Sequence, residues 1–151
     1  MQLPVPSLYR HADAPARIAL IADSFARLLG RDLVDASADP VAALWLAPQA
    51  IVAHGTEGDP LFFFANRKAL QAFRASLDQF IGMPSRLSAE APLREERQAL
   101  LDRVSARGFI DDYAGVRVAL DGTRFRIDGA TVWNLIDDAG NRHGQAAMFV
   151  I

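Results

Sequence analysis

Cysteine is absent from the 151 residues of this chain. That absence excludes disulfides, a thiolate metal site, a cysteine nucleophile and any cofactor joined through a cysteine. Long apolar runs are missing as well. None approaches the roughly 18 residues a membrane-spanning helix needs, and the opening MQLPVPSLYRHADAPA has no apolar core of a signal peptide. A soluble, cytoplasmic protein is the expectation. Charge of one sign is not in excess. The formal net charge is −2, so no global field favours nucleic acid or an anionic membrane. The sequence also has no Walker loop, dinucleotide-binding glycine pattern, Ser-His-Asp spacing, paired-histidine motif, internal repeat or low-complexity tract.

Core-forming residues are plentiful. Hydrophobic residues make up 51% of the chain, and a chain of this length buries roughly 68–70% of its unfolded surface. One domain is expected over residues 1–151, with an extended lead-in (1–12), a flanking helix (13–30) and a compact core (40–151). Asp13 is placed to cap a helix opening with Ala14-Pro15. Ile18, Ile21, Phe25, Leu28 and Leu29 share one face of it, and Gly30 can stop it. That stripe can cover the core or meet a second copy of the chain. A short helix from Val41 to Leu46 follows, then a strand (QAIVAH, 49–54), a breaker-rich turn (GTEGDP) and a returning strand (LFFFA, 61–65). Asn66 can cap a helix through Phe73, and Ser76 to Phe80 adds a helical turn. An irregular loop (82–90) leads to a helix from Pro92 to Arg107, with Leu93, Leu100, Leu101 and Val104 inward and Gly108 at its end.

The C-terminal third reads as three antiparallel strands. Asp121-Gly122 between apolar runs predicts a tight primed turn. Val116, Val118 and Leu120 alternate with Arg117 and Ala119, and Phe125 and Ile127 alternate with Arg124 and Arg126. The period of two predicts that the valines are buried and the arginines form a solvated face. A second turn at Asp137–Asn141 leads to a last strand, Gly144 to Ile151.

Two strands, a block of helices and a three-strand meander is the order of a PAS-type domain. FFFANRKALQAF, HGTEGDP, MPSRLSAEAPLREER, GFIDDYAGVR, FRIDGATVWNLID and GQAAMF, in that order, resemble the MEKHLA family in its stand-alone bacterial form. The resemblance runs from about Ala14 to Ile151. It implies an α+β, PAS-like fold: a five-stranded antiparallel sheet with helices packed on one face, plus the flanking helix. It also implies a sensory or interaction module that binds a small ligand or a protein partner between the sheet and the middle helices, with a possible homodimer through helix 13–30.

Cofactor chemistry narrows the choice. A cysteinyl-flavin adduct and a thioester chromophore both need sulfur. Haem commonly needs a histidine on the long helix, and Pro92–Arg107 has none. A non-covalent flavin, stacked on Trp133 and bonded by Asn134 or Gln145, stays open, and the cofactor is otherwise unknown. Asp111 and Asp112 are neighbours in a strand, so only one should face a pocket. Arg86 can present its fork of donors to an anion, or tie its loop to Asp111 or Asp112. Tyr113, Trp133 and the LFFF run can line an apolar pocket or fill the core. The candidate ligand-binding residues are Asn66, Arg86, Asp111, Tyr113, Trp133 and Asn134, with no catalytic or metal-binding residue assigned. The alternative is a small cavity enzyme, a hydrolase or isomerase, with a carboxylate or His54 as base. His54 otherwise bonds the backbone of the GTEGDP turn, and His54, Glu57 and Asp59 are the weak candidates for a metal. A cavity filled by its own side chains would leave a protein-docking module.

Overall fold

The computed structural model describes residues 4–35, 39–89 and 91–150, apart from the side chains of 91–94 and 97. The inward reading of Leu93 therefore lies outside the described residues, as do the ends of two expected elements at Glu90 and Ile151.

The helices are α1 (Ala14–Leu29), α2 (Pro40–Trp45), α3 (Arg67–Ala72), α4 (Leu77–Phe80) and α5 (Ala91–Arg107). The strands are β1 (Ala50–His54), β2 (Phe62–Ala65), β3 (Phe109–Val118), β4 (Arg124–Ile136) and β5 (Arg142–Phe149). All five pair antiparallel in the order β2-β1-β5-β4-β3. Short 3₁₀ turns occupy Ser7–Arg10 and Ser85–Ser88, inside stretches expected to be extended and irregular.

Each face of the sheet has its own core. On one side α3, α4 and α5 pack over Ala50, Val52, Phe62, Ile127 and Phe149. On the other, α1 and α2 pack over Ile51, Ala53, Phe64, Trp133 and Leu135. Strand alternation sends neighbouring residues to these two cores. The apolar stripe of α1 therefore lies on this chain's own sheet. Ile18, Ile21 and Phe25 are buried there, and Phe25 meets the Trp133 ring edge-on at 4.9 Å.

Local signals set several boundaries. Gly30 ends α1 in the left-handed region, its N–H donating to Ala26 O. Asp13 holds the N-cap position of α1 but makes no side-chain capping bond. Asn66 does cap α3, its Oδ1 accepting from Ala69 N. Tyr9, read from sequence as part of a loose lead-in, is buried. Its hydroxyl donates to Ala65 O at 2.7 Å and accepts from Ala65 N at 3.0 Å. That pins the N-terminus on edge strand β2 and satisfies edge groups that would otherwise invite pairing.

The β3–β4 turn is not the two-residue primed turn expected from Asp-Gly. Gly122 N donates to Ala119 O, Ala119 N donates to Thr123 O, and positive φ falls on Gly122 alone. This is a three-residue loop closed by glycine in the left-handed region. The β4–β5 turn repeats the device, with Gly140 N donating to Asp137 O.

Candidate functional site

The facing of β3 is decided by a bulge. Ile110 lies opposite Val132, and Tyr113 lies opposite Ala130. Three steps on β3 thus match two on β4, so one extra residue sits at Asp111–Asp112. β4 inserts its own extra residue between Ile127 and Ala130, where Gly129 takes a φ of 62°. A one-residue slip moves every later side chain to the opposite face. Beyond the bulge, Tyr113, Gly115, Arg117 and Ala119 face the α3–α5 side. Arg117 is 9% exposed, Ala119 is buried, Val116 and Val118 are half-buried, and Leu120 is exposed. The expected alternation is reversed, and the arginine assigned to a solvated face lies inside.

Between this face and the helices is a cavity. Val52 and His54 of β1, Phe62 of β2, Phe73 at the end of α3, and Leu100 and Leu101 of α5 contribute to its wall. Tyr113, Arg117, Ile127, Val132, Gln145, Ala147 and Phe149 complete the sheet side. It offers about 50 Å³ to the centres of water molecules, and about 530 Å³ of atom-free space once its open mouth is counted. The lining is mostly apolar, with Ser88, His54, Tyr113, Arg117 and Gln145 as its polar members.

Two of these carry buried atoms without hydrogen-bond partners: Arg117 Nη1 and Gln145 Oε1. The Arg117 guanidinium carbon lies 5.1 Å from the Tyr113 ring centroid. Burial pulls the arginine pKa below its usual value, and Tyr113 pushes the other way. Arginine nonetheless keeps its proton in proteins. Gln145 Nε2 donates to Asn134 Oδ1 at 3.0 Å, which leaves Gln145 Oε1 without a partner. His54 Nδ1 donates to Gly55 O at 3.0 Å, bonding the backbone of the following turn as the sequence suggested.

Of the six candidates, Tyr113 alone lines the cavity. Trp133 is fully buried on the opposite face, its Nε1 donating to Ile21 O at 3.0 Å. Strand parity separates it from Val132 and removes it as a stacking platform for flavin. Asn134 is buried at the end of the sheet. Its Nδ2 donates to Val104 O at 3.3 Å, and its Oδ1 accepts from Gln145 and Arg142. Asn66 is fully engaged within the fold. Oδ1 accepts from Ile51 N and Ala69 N, and Nδ2 donates to Leu44 O and Gln49 O. Asp111 and Asp112 are both exposed, because the bulge breaks the alternation that should have turned one inward. Asp112 reaches Arg103 at 3.5 Å. Arg86 pairs with Asp59 at 3.1 Å, fastening its loop to the β1–β2 turn and not to either aspartate of β3.

Arg117 and Gln145 are the residues sequence reasoning undervalued. The available signal was Tyr-x-Gly-x-Arg after an Asp-Asp pair, where small and polar residues occupy positions a plain core strand would fill with aliphatics. The carboxylates read as bases do not reach the cavity, whose lining among the described residues contains neither Asp nor Glu. Glu57 Oε1 instead accepts from Leu61 N, and Glu57 Oε2 lies 4.0 Å from Arg17. With Asp59 on Arg86, the His54–Glu57–Asp59 turn does not converge on a metal. Among the described residues, no group of three or more potential metal ligands forms, and no helix is long and apolar enough to cross a membrane.

Known proteins share this architecture at low identity. A PAS domain from Colwellia psychrerythraea superposes with a TM-score of 0.61 at 17% identity, covering 71% of this chain and 88% of that one. A variant of the fungal photoreceptor VVD gives 0.59 at 13% identity, covering 85% and 91%. A light-oxygen-voltage domain studied with a flavin analogue gives 0.54 at 21% identity, covering 72% and 81%. These likenesses establish a PAS-like fold. No curated protein sequence matches the chain. The family model of the MEKHLA domain matches residues 16–151, and the chain belongs to that family.

Proposed function

We propose that this protein is a sensory PAS-like module that binds a small, partly apolar molecule between its sheet and helices α3–α5. The observation that carries this reading is an apolar cavity whose wall keeps two buried polar atoms, Arg117 Nη1 and Gln145 Oε1, without partners. Apolar walls with a few placed polar groups are the usual composition of a small-molecule site. A buried polar atom left unpaired costs about 1–3 kcal/mol, so a ligand that meets either atom is favoured over an unfilled interior. The output would be a change of surface around β3 and α5, the elements that close over the cavity. Cysteinyl-adduct photochemistry is outside the reach of a chain without cysteine.

Native mass spectrometry and an absorbance spectrum of freshly purified protein test the reading. A co-purifying small molecule, or stabilisation by members of a fragment library spanning neutral, anionic and cationic compounds, is the expected result. Protein that carries no bound mass and does not respond to that library would instead be a protein-docking module with a self-filled interior.

A further inference from the structure

We propose that the ligand is a small monocarboxylate, its carboxylate seated on the Arg117 guanidinium and its apolar part against Phe73, Ile127 and Phe149. This rests on the cavity being a ligand site, and adds the sign and class of the ligand.

A permanent positive charge that is nine-tenths buried is costly unless an anion answers it. Among the described residues, the carboxylates of the neighbouring elements are engaged elsewhere or face solvent. Asp112 pairs with Arg103, Asp59 with Arg86, Asp121 with Arg74 and Asp128 with Arg126. Asp111 is turned outward by the bulge. Arg117 Nη1 has no hydrogen-bond partner among the described residues. Tyr113 holds the guanidinium by its ring and takes none of its N–H donors. A planar guanidinium whose Nη1 is unpartnered suits a carboxylate, which such a fork can bind through two parallel bonds.

Charge balance selects the class. One guanidinium neutralises one negative charge, and among the described residues no other arginine and no lysine lines the cavity. A phosphate dianion would bring a second, uncompensated charge into an apolar space. A neutral ligand would leave the guanidinium unanswered. The roughly 50 Å³ open to water centres limits the portion that enters to a few heavy atoms without rearrangement.

The test uses the full chain and matched probes: propionate, butyrate and hexanoate against their primary amides, with inorganic phosphate as the second anion. Thermal shift and calorimetry are read for the wild type and Arg117→Met. The expected result is saturable binding of at least one carboxylate, with its amide and the Met variant each weaker by about tenfold or more. Amides that bind as well as their acids would overturn the anion assignment while leaving the cavity a ligand site. Phosphate binding tighter than every carboxylate would overturn the class. A response to none of the probes would overturn this inference, and the fragment library then decides separately whether the cavity binds anything. Should Arg117→Met fail to fold, the acid–amide comparison in the wild type decides, together with the shift of the Arg117 Nε–H resonance on titration. An unmoved resonance under a saturating carboxylate would place that ligand elsewhere.

Discussion

Tyr113 and Arg117 meet across Gly115. A Cβ built at Gly115 would lie 2.5 Å from the Tyr113 hydroxyl. The glycine thus leaves the gap through which the tyrosine ring lies along the strand and reaches the guanidinium. Gly115→Ala is expected to displace the ring and loosen its contact with Arg117, at a cost of about 1–3 kcal/mol from overpacking. Chemical denaturation reads the cost, and the aromatic proton shifts of Tyr113 read the displacement. Unchanged shifts would refute the contact.

Arg117→Met is expected to stabilise the ligand-free protein. Replacing buried charges by apolar groups of similar volume is often neutral or stabilising by about 1–4 kcal/mol. Here, among the described residues, the lost guanidinium leaves no hydrogen-bonded anion behind. Urea unfolding of both proteins, stripped of any ligand, measures the difference. A variant clearly less stable than wild type would mean that the guanidinium is answered within the fold.

Asn66→Ala should destabilise strongly. The side chain accepts from Ile51 N and Ala69 N and donates to Leu44 O and Gln49 O, joining β1, α3, α2 and the chain between α2 and β1. Losing this cap and leaving buried backbone groups unpaired is worth about 2–4 kcal/mol. Stability by denaturant melt should fall by that amount. A loss below 1 kcal/mol would show that water replaces the bonds.

Acid should unfold the protein partly through its two hairpin turns. Hydrogen bonding from His143, then from the Asn141 backbone, holds the Asp137 carboxyl at about 2, and bonds from Thr123, then Arg74, hold Asp121 at about 2. Both values lie below the ordinary 3.8, so the stability each adds is fully present above that value. It is lost as pH falls from about 4 toward 2. Asp121→Asn and Asp137→Asn should each flatten the stability–pH curve in that window. A curve with the wild-type slope between pH 4 and 2 would remove these turns from the acid response.

Much of the fold was legible because it is written in local signals. Gly30, Gly108, Gly122 and Gly140 close elements at positive φ, and Asn66 caps its helix as its position implied. The α1 stripe showed that the helix is buried but not against what. Of the six ligand-binding candidates only Tyr113 lines the cavity, although His54, Phe62 and Gln145, also singled out in the sequence, lie in its wall. Strand parity assigns Trp133 to the far core, while Asn134 shares the face of Val132 and is held beyond the cavity by Val104 O, Gln145 and Arg142.

By itself the sequence determined the main elements, their order, where the turns fall and the family, because periodicity, capping residues and glycine act over a few neighbouring positions. Tertiary structure decided which way β3 faces. The extra residue at Asp111–Asp112 is defined only by the spacing of its partner β4, and one slipped residue exchanges the two faces of everything after it. That exchange carries Arg117 from an expected place in solvent to the wall of the cavity. Its charge was visible in the sequence, and its burial without a hydrogen-bonded anion followed only from how two strands pair.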